Sequence, residues 1–265
     1  MVLTLDRSKK IRSWRQFARE VRSKNCNLLK ELHKFPDSIL VTGCQRSGTT
    51  MLSRIISQSE GMVNFWVGKD DELDGAVILS GQVKHNSRGR HCFQTTYLNE
   101  CYYEYFDHCR HHKIIWVLRN PFSVVYSMRY NWTRFALNEL FVACGSKFLS
   151  DKEKGLYDLL GGWVVNRTRR SCLSYNGKLA QLLELKEKID TERFFVIEYE
   201  ELVGMPHDAL KKIYRFIDLP YKSEYAQIIN KKSQHKRKLL SNKDYQLVEN
   251  LCQPIYEKAK SILIE

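Results

Sequence analysis

Residues 38–56 read SILVTGCQRSGTTMLSRII. A short apolar run ends at Gly43, Gly48 follows with P-loop spacing, and a helix-like pattern begins at Thr49. Gly-x4-Gly followed by two further residues is the spacing of a phosphate-binding loop. One substitution changes its chemistry: Thr49 stands where a nucleotide triphosphatase carries Lys. The only cation inside the loop is Arg46. A Gly-rich turn feeding a helix N-terminus offers backbone N–H groups to an anion, and the helix dipole favours negative charge there. Gln45, Arg46, Ser47, Gly48, Thr49 and Thr50 are therefore the expected cradle of a 5′-phosphate. The Lys that would reach a γ-phosphate is missing, so the transferred group is expected to be something other than a terminal phosphoryl.

A second motif, IIWVLRNPFSVVYSM, spans residues 114–128. The apolar run 114–118 predicts a buried strand that delivers Arg119 at its carboxyl end. Asn120 can cap a helix that Pro121 opens, a position where the missing N–H costs nothing. Ser127 falls two turns along, on the face pointing back toward the strand end. Arg presents a bidentate fork to a phosphate, and Ser adds a hydroxyl donor.

In that order, the two motifs resemble the sulfotransferases that use 3′-phosphoadenosine 5′-phosphosulfate (PAPS). The Arg-Ser-Gly-Thr-Thr loop is similar to the form in carbohydrate, protein-tyrosine and bacterial members, whereas cytosolic small-molecule enzymes more often carry Lys where Arg46 stands. The resemblance implies a P-loop NTPase-like three-layer α/β fold with a central parallel sheet flanked by helices. It implies that Arg119 and Ser127 grip the donor's 3′-phosphate and that Arg46, Thr49 and Thr50 meet the phosphosulfate. FFVIEYEEL (194–202) resembles the family's strand before a Tyr-Glu-x-Leu segment, placing Tyr199 near the nucleotide. A late basic run, 233–238, makes Lys236 and Arg237 candidate donor contacts, although it lacks the Arg-Lys-Gly form of the cytosolic enzymes.

For the general base, the resemblance points to the acidic stretch 68–75, in a loop beyond the next strand. Glu72 is the choice, with Asp70, Asp71, Asp74, His85 and His91 as alternatives. Arg46 is the expected cation at the transferred group, and no metal is required. The resemblance implies an acceptor hydroxyl, less readily an amine, such as that of a carbohydrate or small-molecule alcohol. Segments 62–112 and 129–165, rich in Phe65, Trp66, Tyr102, Tyr103, Tyr130, Trp132 and Trp163, are expected to build its pocket.

Composition bounds the alternatives. A chain of 265 residues with 43% hydrophobic and 12% aromatic content is long enough for one sizeable core and excludes a disordered chain. No apolar run approaches the roughly 20 residues of a membrane span. The opening MVLTLDRSKKIRSW lacks the apolar core of a secretion signal, and the eight Cys show no CxxC or metal-ligand spacing. Free cysteines and a cytoplasmic location are expected. The net charge of +13 is concentrated in residues 1–34, with ten Lys/Arg against three Asp/Glu. This segment reads as a basic amphipathic helical unit packed on a domain of residues 35–265, and peripheral membrane contact through it is an option. Strands are expected at Ile39–Val41, 114–118 and Phe194–Tyr199, and Met62–Val67 and Ala76–Leu79 read as short extended or apolar pieces. Helices are expected at 11–34, 49–58, 97–112, 206–217, 222–230 and 241–262. Two other functions compete: a nucleotide kinase-like phosphotransferase, and a non-enzymatic module binding polyanions or membranes. Against the first stand Thr49 in place of Lys and Arg119 in place of a metal-binding Asp. No nucleic-acid motif supports the second.

Overall fold

The structure is a computed structural model and describes residues 11–23, 26–65, 70–109, 111–161, 164–229 and 239–263. Four strands, β1 (Ile39–Gly43), β2 (Cys92–Gln94), β3 (Lys113–Leu118) and β4 (Phe194–Glu198), pair in parallel in the order β2-β1-β3-β4. Around them run α1 (Trp14–Phe17), α2 (Thr49–Ser57), α3 (Asp71–Leu79), α4 (Glu104–His108) and α5 (Pro121–Tyr130). Next come α6 (Arg134–Leu140), α7 (Asp151–Leu160), α8 (Arg167–Lys188), α9 (Tyr199–Gly204), α10 (Pro206–Phe216) and α11 (Asn242–Ser261).

Side chains alternate across a strand, so a buried parallel sheet must be apolar on both faces. Leu40, Ile114, Trp116 and Leu118 pack with α3, α5, α8 and α11 on one face. Ile39, Val41, Ile115 and Val117 pack with α2, α9 and α10 on the other. These are the three layers expected from the sequence. Each fully buried aliphatic side chain contributes on the order of 1.5–3 kcal/mol. Because all four strands run the same way, their carboxyl ends gather on one edge, where ligands of open α/β sheets bind.

Several local readings change. Residues 11–34 do not form long helices: α1 is one turn, a π-type turn follows at 18–22, and a 3-10 turn closes at 32–34. Phe17, Leu28, Leu29 and Leu32 are nonetheless buried in the same core as Leu40 and Trp116. The expected helix at 97–112 is a 3-10 segment, 96–101, kinked at Asn99 (φ 45°, ψ −115°), followed by α4. Residues 223–228 are also 3-10. Ala76–Leu79, read as a short apolar piece, is the second half of α3, and β2 is a strand that sequence patterning did not reveal.

The cysteine expectation is also corrected. Cys26 and Cys101 form a disulfide, their Cα atoms 5.4 Å apart, while Cys44, Cys92, Cys109, Cys144, Cys172 and Cys252 are free and buried. Among the described residues no helix is long and apolar enough to cross a membrane. The disulfide closes a span of 75 residues, so Cys26→Ser is expected to lower unfolding free energy by about 2–4 kcal/mol. Urea melts without reductant should show this loss, and reduced wild type should melt like the variant.

Candidate active site

The carboxyl edge of the sheet opens into a cavity of about 380 Å3. β1 ends in the loop 43–48, and two glycines let it pass close to its neighbours. A Cβ on Gly43 would lie 2.7 Å from the Val117 carbonyl, and one on Gly48 would lie 2.5 Å from the Tyr199 ring. Gly48 adopts φ 98° and caps α2. The first-turn amides of a helix have no intrahelical acceptor. Those of α2 belong to Gly48, Thr49 and Thr50, all of which line the cavity. Gln45 lines it too and donates to the Thr96 carbonyl at 3.0 Å. Ser47 is fully buried and does not reach the cavity wall, and its N–H donates back to the Cys44 carbonyl.

Arg46 and the second motif meet here. Arg46 is held at φ 73°, a conformation that costs an L-residue about 1–2 kcal/mol. Its Nε donates to Ser127 Oγ at 3.0 Å, and Arg119 Nη1 donates to the Arg46 carbonyl at 3.0 Å. Local sequence sets up the second motif as expected: Asn120 Oδ1 accepts from the Ser123 N–H at 2.9 Å, and Pro121 opens α5. Arg119 lies over the Tyr199 ring, its guanidinium carbon 3.9 Å from the centroid. Burial pushes the pKa of both guanidinium groups down, and for Arg119 the neighbouring Tyr199 and Glu200 counter this. The cavity thus brings together Arg46, Thr49, Thr50, Arg119, Ser127 and Tyr199. Lys236 and Arg237 lie outside the described residues, as do Trp66 and Trp163.

Glu72 lines the same cavity. It sits in the first turn of α3 rather than in a loop, and Asp70 caps that helix by accepting from the Leu73 N–H at 3.1 Å. Gln94, at the carboxyl end of β2, donates to Glu72 at 2.8 Å and to Thr49 Oγ1 at 3.1 Å. Thr96 Oγ1 also donates to Glu72. Burial raises the Glu72 pKa from the ordinary carboxylate range to about 8, although the Thr96 hydrogen bond pulls the other way. Of the acidic stretch, Glu72 alone reaches the cavity. Asp71 is buried against Arg54. His85 and His91 pack among Phe35, Phe65 and Phe93, and burial drives His91 down to about 4. Neither histidine lines the cavity.

Sequence reading missed Gln94, Thr96, Tyr97, Trp14, Arg22 and Glu139, all of which reach the cavity. Gln94 is the last residue of β2, at the sheet's carboxyl edge, so recognition of that strand would have found it. Of the aromatics expected at the acceptor, Trp132 lines the cavity. Phe65 is core, and Tyr103 and Tyr130 are exposed.

A model of the sulfotransferase domain matches residues 36–249. No curated protein sequence matches the chain. Among solved structures, the sulfotransferase STF9 from Mycobacterium avium is similar at a TM-score of 0.53 and 14% identity, covering 88% of this chain and 79% of that one. The sulfotransferase domain from the curacin biosynthetic pathway gives 0.52 and 14%, covering 85% and 96%. A sulfotransferase from Alicyclobacillus acidocaldarius gives 0.50 and 14%, covering 87% and 96%. These likenesses extend to the fold.

The raised Glu72 pKa carries a sign for stability. Between the ordinary carboxylate range and pH 8 the folded chain holds a proton that the unfolded chain has released, so stability falls as pH rises through that window. Glu72→Gln lacks this slope. Its stability relative to wild type should therefore increase steadily from about pH 5 to about pH 8, as read from urea midpoints across that range.

Proposed function

We propose, from the premise that this chain belongs to the sulfotransferase domain family, that it transfers a sulfuryl group from PAPS to an acceptor hydroxyl. One observation supports this above the others: Arg46, Arg119 and Ser127 converge with the α2 N-terminus in one cavity that the half-buried carboxyl of Glu72 also lines. Two guanidinium groups with separate anchors suit a donor with two separate anionic groups. Gly48 lets the Tyr199 ring pack directly against the loop backbone, where a Cβ would lie 2.5 Å from the ring.

In this reading Arg119 and Ser127 hold the 3′-phosphate, with Tyr199 near the nucleoside. Arg46, Thr49, Thr50 and the α2 amides hold the phosphosulfate, and Gln45 braces the loop against residue 96. Ser47 contributes through the backbone turn rather than its buried hydroxyl. Lys236 and Arg237 are further donor contacts in this proposal. Glu72 accepts the acceptor hydroxyl's proton as the new O–S bond forms. The bond between sulfur and the bridging oxygen breaks, and 3′-phosphoadenosine 5′-phosphate departs. The departing charge is met by Arg46 and by the helix amides. Gln94 joins Glu72 to Thr49, so the base and the transferred group keep a common reference. A carboxyl pKa near 8 makes the base stronger where it is ionised, and the base-dependent rate should rise as pH approaches 8.

Binding of 3′-phosphoadenosine 5′-phosphate against AMP tests the donor assignment. Wild type should prefer the 3′-phosphorylated nucleotide, and Arg119→Ala should lose about 10- to 100-fold of that preference, the worth of one charged hydrogen-bonded contact. Equal affinity for both nucleotides would overturn it. Glu72→Gln should cut turnover by about 10²- to 10⁴-fold, the usual share of a general base, with nucleotide affinity nearly unchanged. Transfer of ³⁵S rather than ³²P from labelled donors separates this reading from a phosphotransferase.

A further inference from the structure

The segment before residue 36 lies outside the matched domain, yet it supplies one wall of the cavity. Trp14 and Arg22 line that wall. The rings of Trp14, Phe17 and Tyr97 form a closed triangle with centroids 5.6, 5.7 and 5.7 Å apart. Trp14 Nε1 donates to Asp70 at 2.7 Å, and Asp70 caps the helix that carries Glu72. Arg22 pairs with Glu139 at 2.5 Å and Glu100 at 3.5 Å. Below them, the Leu28 and Leu29 amides donate to the buried Glu104 carboxylate at 2.9 and 2.7 Å. The Cys26–Cys101 disulfide then joins the strap covalently to the segment that carries Thr96 and Tyr97. A strap tethered at so many points is a wall rather than a loose tail.

The chemistry of this wall differs from that of the donor end. The Trp14 indole N–H is committed to Asp70 and the Arg22 guanidinium to carboxylates, so the ring surface of Trp14 is what a ligand can use. Trp132 and Leu140 continue the apolar lining. One polar group stands apart. Tyr97 is 4% exposed, and among the described residues its Oη has no hydrogen-bond partner. A buried hydroxyl without a partner costs about 1–3 kcal/mol, which a ligand oxygen recovers. The charges of this cluster are equally one-sided: the single guanidinium of Arg22 faces the two carboxylates of Glu139 and Glu100. Like charge set against a partner's charge suppresses the wrong partner.

Resting on the sulfuryl-transfer reading above, we propose that this strap is the specificity-determining wall of the acceptor subsite. Trp14 and Tyr97 receive the ring and the hydroxyl of the acceptor, and the Arg22–Glu139–Glu100 cluster turns away acceptors that carry a negative charge. The acceptor class is thus a ring-bearing alcohol that is neutral or cationic.

Three phenols of one shape and different charge test this: tyramine, tyrosol and 4-hydroxyphenylacetate, each assayed with PAPS, with 3′-phosphoadenosine 5′-phosphate binding measured in parallel. Wild type should use tyramine and tyrosol at least tenfold better in kcat/KM than 4-hydroxyphenylacetate, and Glu139→Gln should narrow that gap severalfold. Trp14→Ala should raise acceptor KM tenfold or more, with Trp14→Phe restoring most of it. The isosteric Tyr97→Phe should raise KM severalfold, and nucleotide affinity should stay within twofold throughout. If the nucleotide binds but the three phenols behave alike, or none binds, the strap proposal falls while the donor reading stands. It also falls if Trp14→Phe, Trp14→Ala and Tyr97→Phe all leave acceptor KM unchanged. Loss of nucleotide binding by wild type would instead remove the donor reading and this proposal together.

Discussion

The hydrogen bond from Arg119 Nη1 to the Arg46 carbonyl ties two cavity-lining elements of the molecule to each other. The loop after β1 and the junction of β3 with α5 are separate in sequence, and this contact makes them one surface. It also explains how Arg46 keeps its left-handed backbone. Such strain persists only where surroundings over-determine it. Here the carbonyl is held by Arg119 and the side chain by Ser127. Two guanidinium groups in one cavity, Arg119 buried and Arg46 at its open side, repel each other. The Tyr199 face beneath Arg119 offsets part of that repulsion by about 0.5–2 kcal/mol, and an anion would offset the rest. The cavity is therefore electrostatically incomplete at its cationic end.

The opposite polarity is built one strand over. Val41 and Gln94 are register partners on β1 and β2, so the loop that carries Arg46 and the side chain that holds Glu72 leave the sheet side by side. Gln94 spans the two by donating to Thr49 and to Glu72. A carboxylate sharing a cavity with guanidinium groups would ordinarily be drawn into a low pKa. Burial overrides this and holds Glu72 high. Arg46 and Glu72 thus line one cavity without a salt bridge between them among the described residues.

The local rules that worked were those in which a residue acts through its own backbone. Gly48 at a positive φ, Asn120 as a cap and Pro121 at a first turn are each dictated within a few positions, and the structure has them so. Strands β1, β3 and β4 were legible because each is a run of apolar residues, fully buried in β1, nearly so in β3 and partly in the edge strand β4. β2 was not, since three residues, Cys-Phe-Gln, are too short to show a period. Ala76–Leu79 looked extended because a continuous apolar run does not distinguish a buried strand from a buried helix. At 96–101 a helical pattern gave way to a kink at Asn99, next to the disulfide and the cavity. Tertiary contacts there outweighed propensity.

By itself the sequence determined the glycine turn before α2, the parallel α/β arrangement and the capped, proline-opened start of α5, because each follows from turn chemistry or from periodicity along a single element. Only the tertiary structure decided which carboxylate of the acidic stretch faces the cavity, which two of eight cysteines join, and that Trp14 and Arg22 reach the site at all. Those outcomes depend on contacts between residues tens of positions apart: Trp14 with Asp70, Arg22 with Glu139, Cys26 with Cys101. Burial, which raises the Glu72 pKa and leaves Tyr97 Oη without a partner among the described residues, belongs to the packed molecule and not to any stretch of chain.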